Sequence, residues 1–181
     1  MNEPRHLFEI EPSTRSNDAM FEAVYDRLKR LARRRLRSSQ RSVTLETTSL
    51  VHELYLRMAG RDELAFDHSS QFLTYAARAI RHLLSDRARA CLSQRSGGDW
   101  QRVTLSGTDQ RLVFESADKA LEFDAALDRL EAADARAARV VELRYFGGLD
   151  QDEAAQALGV SMRTINRDWE FARAFLKTDL A

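Results

Sequence analysis

From Met162 onward the apolar residues recur at Ile165, Trp169, Ala172 and Leu176, with Phe175 beside them. That spacing draws one face of an α-helix. The opposite face carries Arg163, Asn166, Arg167, Glu170, Arg173 and Lys177. Just upstream, Ala154, Ala155, Ala157 and Leu158 form a shorter apolar helical pattern. Asp150 is placed to cap it, and Glu153, three residues on, completes a capping box. Gly159 supplies a left-handed stop, Val160 plugs the turn, and Ser161 caps the next helix. The stretch from Asp150 to Leu176 therefore predicts two helices joined by a tight glycine turn, a helix-turn-helix.

The same periodicity recurs upstream. Phe21, Val24, Leu28 and Leu31 mark a first helix after a cap at Ser16 or Asn17, with Tyr25, Ala32 and Leu36 widening its stripe. Leu50, Leu54 and Met58 mark a second, from about Thr47 to Met58, which Gly60 ends. Phe72, Ala76, Ile80 and Leu83 mark a third, from near Ser69 to about Leu92. Ala120, Phe123, Leu127 and Leu130 mark a fourth. Ala137, Val140, Val141 and Leu143 mark a fifth, which stops at Gly147-Gly148. Residues 1–16 read as a flexible tail. Residues 94–118 are rich in Ser, Gly and charge and read as a flexible linker. Within it only Arg102 to Leu105 hints at strand alternation, too short to count. The predicted fold is all-α: two small helical domains, 17–93 and 119–181, joined by that linker, the second ending in the helix-turn-helix.

Composition agrees. At 181 residues the chain suits one ordinary domain or two small ones. Only two Pro and seven Gly leave long helices uninterrupted. No apolar run reaches the roughly 18 residues of a membrane helix, and the acidic start MNEPRHLFEIEP lacks the apolar core of a signal peptide. The single Cys91 excludes an internal disulfide and fits a reducing cytosol. His52-Glu53 begins like a zinc-protease motif, but Leu56 stands where the second His is needed. No phosphate loop, nucleophile elbow or paired catalytic carboxylates are present. The chain is therefore read as a non-enzyme with no catalytic residue, no metal and no cofactor.

The net charge of zero hides an asymmetry. Met1 to Arg95 holds 17 Lys and Arg against 12 Asp and Glu, and Ser96 to Ala181 holds 11 against 16. The basic half is the one expected to meet a polyanion. Eight basic residues and no acid lie between Arg27 and Arg41; a solvated basic face is the plain reading, a nucleic-acid patch the functional one. On the third helix Arg78, Arg81, His82, Ser85 and Arg89 recur at spacings of three and four, with Phe72 and Tyr75 near its start. Cations can track phosphates and rings can stack on unpaired bases. Phe72 reads better as core, while Tyr75 suits either role. On the last helix, Arg and Asn side chains suit base edges in a major groove.

Three stretches carry a resemblance: TSLVHELYLRMAG (Thr48 to Gly60), FLTYAARAIRHLLSDRARA (Phe72 to Ala90) and ARVVELRYFGGLDQDEAAQALGVSMRTINRDWEFARAFL (Ala138 to Leu176). With their order, they make the chain resemble a bacterial RNA polymerase sigma factor of the extracytoplasmic-function (ECF) group, over roughly Asn17 to Leu176. The resemblance implies a cytoplasmic protein, nucleoid-associated when active, that binds core RNA polymerase and directs transcription initiation. It implies that Arg163, Thr164, Asn166, Arg167, Glu170 and Arg173 read the −35 element. Tyr75, Arg78, Arg81, His82, Arg87 and Arg89 would hold the melted −10 element. Leu50, Glu53, Leu54, Tyr55 and Met58 would dock on the clamp of the beta-prime subunit, and the linker would run toward the RNA exit path. An anti-sigma factor or a Ser/Thr kinase would be a further partner. Asp168, inward by helical phase, is expected to pair with an arginine of a neighbouring helix, Arg144 being one candidate.

One departure stands out. Many members of the group carry several carboxylates at the start of the second helix; here the place reads Glu46-Thr47-Thr48-Ser49. In the plainer reading the hydroxyls cap the helix. In the sharper one a kinase phosphorylates Thr47, Thr48 or Ser49, adding about −1.5 to −2 charge where a helix N-terminus favours it. Two rival functions remain, a stand-alone helix-turn-helix regulator of transcription and an RNA-binding antiterminator resting on Arg27 to Arg41.

Overall fold

A computed structural model of the chain describes residues 52–57, 69–93, 103–106 and 111–181. Helix α1 spans residues 52–57 and α2 spans Ser69–Ser93. Strands β1 (Val103–Ser106) and β2 (Arg111–Phe114) follow. Then come α3 (Ala117–Ala133), α4 (Ala135–Tyr145), α5 (Gln151–Leu158) and α6 (Met162–Asp179). The described residues are helices, one short hairpin and the short turns between them, a predominantly helical fold as expected. The expected tail at 1–16, the first helix, Leu50, Met58 and the Thr47-Thr48-Ser49 triplet lie outside the described residues.

The hairpin corrects the expectation of a structureless 94–118. β1 and β2 pair antiparallel, with Val103 opposite Phe114 and Ser106 opposite Arg111. Two four-residue strands are marginal alone. They are anchored because Phe114 is buried, its ring 5.4 Å from that of Phe123 on α3. Tertiary packing, rather than local alternation, makes this segment a strand. The fourth helix also starts earlier than its apolar stripe suggests. Ser116, inside the expected linker, caps it by accepting a hydrogen bond from the Lys119 N–H.

α3 and α4 are joined by one residue. The Asp134 N–H donates to the Leu130 carbonyl and so closes α3, while its side chain accepts from the N–H groups of Arg136 and Ala137 and so opens α4. Orphan backbone groups at both helix ends are thus satisfied at a single position.

The apolar stripes converge on one core. Leu54 of α1 and Phe72, Ala76, Ala77, Ile80 and Leu83 of α2 share a buried cluster with Leu127 and Leu130 of α3, Val140 and Leu143 of α4, and Ile165 of α6. α2 packs against α3, α4 and α5, and α6 against α3, α4 and α5. The two halves of the chain are therefore in contact. Burying each large side chain contributes about 1.5–3 kcal/mol, so this shared core strongly favours the packed arrangement. Small residues set the approach of α2: a Cβ built on Gly147 would lie 3.3 Å from the Ala77 Cβ. Polar ties hold α1 to α2, with Arg57 3.0 Å from Asp86 and Arg87 3.2 Å from Glu53. No described helix is long and apolar enough to cross a membrane.

Candidate nucleic-acid interface

The α5–α6 pair is built by its local sequence. The Asp150 carboxylate accepts from the Glu153 N–H at 2.8 Å, and the Asp150 N–H donates to the Glu153 carboxylate at 2.9 Å, a complete capping box. Gly159 ends α5 with φ +64°, and its N–H donates to the carbonyls of Ala155 and Gln156. Val160 N–H reaches back to the Ala155 carbonyl at 3.0 Å. Ser161 then caps α6 by accepting from the Thr164 N–H at 3.2 Å.

On α6 the helical phase separates two faces. Ile165, Asp168, Trp169, Ala172 and Leu176 point inward and are buried. Arg163, Asn166, Arg167, Glu170, Arg173 and Lys177 are exposed on the other side. Thr164 is half-buried, and its hydroxyl is hydrogen-bonded to that of Ser161 at 2.9 Å. The structure thus brings five of the six residues expected at the −35 element onto one open, arginine-rich surface. Thr164 lies at the edge of that surface, beside the helix cap.

The inward face fixes how α6 sits. The Arg144 guanidinium lies over the Trp169 ring, 4.0 Å from its centre. Trp169 begins an aromatic line that continues through Tyr145 (5.6 Å), Phe123 (6.5 Å) and Phe114 (5.4 Å) to the hairpin. Asp168 pairs with Arg136 of α4, not with Arg144. Arg144 lies over the indole, while Arg136, in the first turn of α4, meets the carboxylate in the planar two-point geometry a guanidinium favours. Hydrogen bonding to Arg136 outweighs burial and holds the Asp168 carboxyl below its ordinary range.

The second candidate surface looks different. Of the residues expected at the −10 element, only His82 is exposed with no ion pair assigned to it among the described residues. Tyr75 is half-buried against the core. Phe72 is fully buried, as its core reading requires. Arg78 is exposed but pairs with Glu131 of α3 at 3.0 Å. Arg87 is half-buried and engages Glu53. Arg89 contacts Asp86 at 3.1 Å and Asp124 at 3.3 Å.

Arg81 is the extreme case at 1% exposure. Its Nε donates to Asp124 at 2.7 Å and its Nη1 to Glu142 at 2.9 Å. Its Nη2 donates to the Asp124 carbonyl at 2.9 Å and also to Asp128. Burial works against this charge, but the bonds to Glu142 and Asp124 outweigh it and raise the guanidinium pKa above its ordinary value. In this arrangement Arg81 is closed to a phosphate. Its partners lie 43 to 61 residues away, beyond the reach of local pattern reading. One signal did exist: Asp124, Asp128 and Glu131 recur at helical spacing and make an acidic row on α3.

On α1, Leu54 is fully buried and Tyr55 packs on the core, while Glu53 holds Arg87. The apolar side chain that α1 offers outward is Leu56, 57% exposed, which its stripe did not single out.

The family model described as "ECF sigma factor" matches residues 12–181 of the chain. A search of curated proteins gives no match.

Proposed function

The chain belongs to the ECF sigma factor family, and from that premise we propose how its surfaces divide the work. Membership makes it a sigma factor of transcription initiation, which binds core RNA polymerase and promoter DNA. α6 enters the major groove of the −35 element, with Arg163, Asn166, Arg167, Glu170 and Arg173 toward the DNA. Arg and Asn supply bidentate contacts to base edges, and Glu170 accepts from a cytosine amino group or restrains an arginine. α2 holds the opened −10 strand through Tyr75, Arg78, Arg81, His82, Arg87 and Arg89. Leu50, Glu53, Tyr55 and Met58 dock on the beta-prime clamp, with Leu56 added as the exposed anchor, while Leu54, expected there too, is fully buried and supports α1 from the core. The protein performs no catalysis and works in the bacterial cytoplasm, on the nucleoid when active.

The observation that carries this reading is the open polar face of α6, presented by a helix whose other face is locked by Trp169 and Asp168. Co-elution of the purified chain with core RNA polymerase tests it, followed by transcription from promoter fragments enriched by the reconstituted holoenzyme. Arg163→Ala and Arg167→Ala should leave co-elution intact and abolish promoter selection. Duplex binding by the chain alone, with no polymerase association, would instead identify a stand-alone helix-turn-helix regulator.

The single acid at Glu46 and the hydroxyls of Thr47, Thr48 and Ser49 support a phosphorylation switch. A phosphate there supplies the negative charge that docking on a basic polymerase surface uses. If the triple alanine variant remains fully active in cells, the switch is wrong.

A further inference from the structure

Phe123, Tyr145 and Trp169 together floor a cavity of about 490 Å³. Leu112 of β2, Leu176 of α6 and Leu180 at the α6 C-cap complete its apolar sides. Glu170, Arg173 and Lys177 supply its charged lining. All of these residues belong to the C-terminal half, so the site does not depend on α2. We propose that this cavity binds a small amphipathic anion, a flat apolar body carrying one carboxylate, whose charge engages Arg173 and Lys177 and so competes with the −35 element for Arg173. The ligand site stands on the cavity alone, while the competition rests on the proposed assignment of Arg173 to the −35 element.

Size and shape set the class of ligand. Protein interiors leave few voids larger than a water molecule. Small-molecule sites are instead clefts of roughly 300–1,000 Å³, mostly apolar, with a few placed polar groups. The cavity matches the second description. Leu112 and Phe114 are two residues apart on β2 and so point to the same side of the strand. Phe114 packs on Phe123 while Leu112 closes the cavity, which makes the hairpin one wall of the site. The Phe123 and Tyr145 rings are perpendicular, and those of Tyr145 and Trp169 are tilted by 47°. Rings set at such angles offer both faces and edges to a flat apolar guest.

Charge sets the sign of the ligand. Arg173 and Lys177 are exposed, four residues apart on one helix, and neither has an ion-pair partner among the described residues. Like charges at that spacing repel, and an anion between them relieves the repulsion. Glu170 offsets one of the two cations, so the lining keeps one positive charge in excess, which matches a monoanion. Tyr145 feels the same field: burial raises its hydroxyl above the ordinary pKa, and the charges of Arg144 and Arg173 pull it back. Arg173 borders both this cavity and the open side of α6. A carboxylate bound against it therefore withdraws one guanidinium from the surface that the proposed function turns toward DNA.

The test titrates the full chain by isothermal calorimetry with cinnamate, a flat aromatic carboxylate, and with cinnamamide as its uncharged counterpart. Cinnamate should bind about tenfold more tightly than the amide, the ratio expected of one charge-assisted contact. Arg173→Ala with Lys177→Ala should remove that preference. Ala174 lines the cavity but is exposed, so Ala174→Trp fills the space without disturbing the core, which circular dichroism verifies. It should abolish binding of both compounds. No binding of cinnamate at roughly 1 mM, no preference over the amide, or binding that survives Ala174→Trp overturns the site. Competition is read in the holoenzyme: saturating cinnamate should weaken −35 duplex binding severalfold in the parent and not in Ala174→Trp. If Arg173→Ala alone weakens duplex binding but cinnamate does not, the competition is overturned. If Arg173→Ala has no effect on the duplex, the DNA assignment of Arg173 fails instead, and calorimetry still decides the ligand site.

Discussion

Arg136 on α4 and Asp168 on α6 are joined by two hydrogen bonds, the carboxylate buried and the guanidinium 42% exposed at the rim. The pair ties the DNA-facing helix to the scaffold. Because Asp168 is held below its ordinary pKa mainly by Arg136, it contributes stability at and above the unfolded value of about 4. That contribution is lost as the pH falls through the lowered folded value. Asp168→Asn should lower the melting temperature at neutral pH. The difference from the parent should close as the pH falls through the lowered folded value, where the Asp168 carboxyl becomes protonated and both side chains are neutral. A melting series from neutral to acid pH checks this, and a constant difference across the range would contradict it.

Trp169 carries the packing of α6. It is 7% exposed, touches Tyr145 and lies under Arg144. Trp169→Ala should cost about 3–5 kcal/mol through the cavity and the lost ring contacts, read by urea denaturation followed by circular dichroism. Arg144→Lys should cost about 0.5–2 kcal/mol, since an ammonium does not reproduce the flat stacked contact. A neutral effect of Arg144→Lys would remove the stacked pair as a stabilising contact.

The two turns flanking α5 should fail in different ways. A Cβ at Gly159 meets nothing within 4 Å, but its φ is +64°. Gly159→Ala should therefore cost about 1–2 kcal/mol of backbone strain alone, and Gly159→Asn less. A Cβ at Gly147 would lie 2.7 Å from the Leu143 carbonyl oxygen. Gly147→Ala should be the more damaging, because it must push apart helix backbone and α2 together. Denaturation midpoints in the order Gly159→Asn, Gly159→Ala, Gly147→Ala, from highest to lowest, are expected.

On the exposed face of α6, substitution should separate binding from folding. Arg167→Ala should leave the circular dichroism and melting temperature nearly unchanged. In the holoenzyme it should weaken duplex binding by about 1–3 kcal/mol if Arg167 reads a base edge. If it meets only a phosphate, the loss should be uniform across sequences and the salt slope should fall by about 1. Titrating promoter duplexes at several salt concentrations distinguishes the two.

The helix-turn-helix is legible in sequence because its determinants are local. Asp150, Glu153, Gly159 and Ser161 act on backbone groups a few residues away, and the inward phase of Asp168 follows from the apolar stripe around it. The partner of Asp168 is not legible: Arg136 lies 32 residues upstream, and choosing it over Arg144 requires knowing that Trp169 already engages Arg144. The hairpin is hidden for a similar reason, since Phe114 becomes a strand residue through the Phe123 ring. For Arg81, spacing along α2 describes a solvent-facing stripe just as well as a buried one. Only the arrival of α3 and α4 decides between them.

Asp134 leaves no slack between α3 and α4. Most connections absorb an extra residue by bulging into solvent, but here the same residue closes one helix and opens the next. One inserted residue that continued the helix would turn α4 by about 100° relative to α3, carrying Glu142 away from Arg81 and Val140 out of the core. The joint therefore works as a phase lock. Chain length at this point, more than the identity of the side chains around it, is what selection must hold fixed.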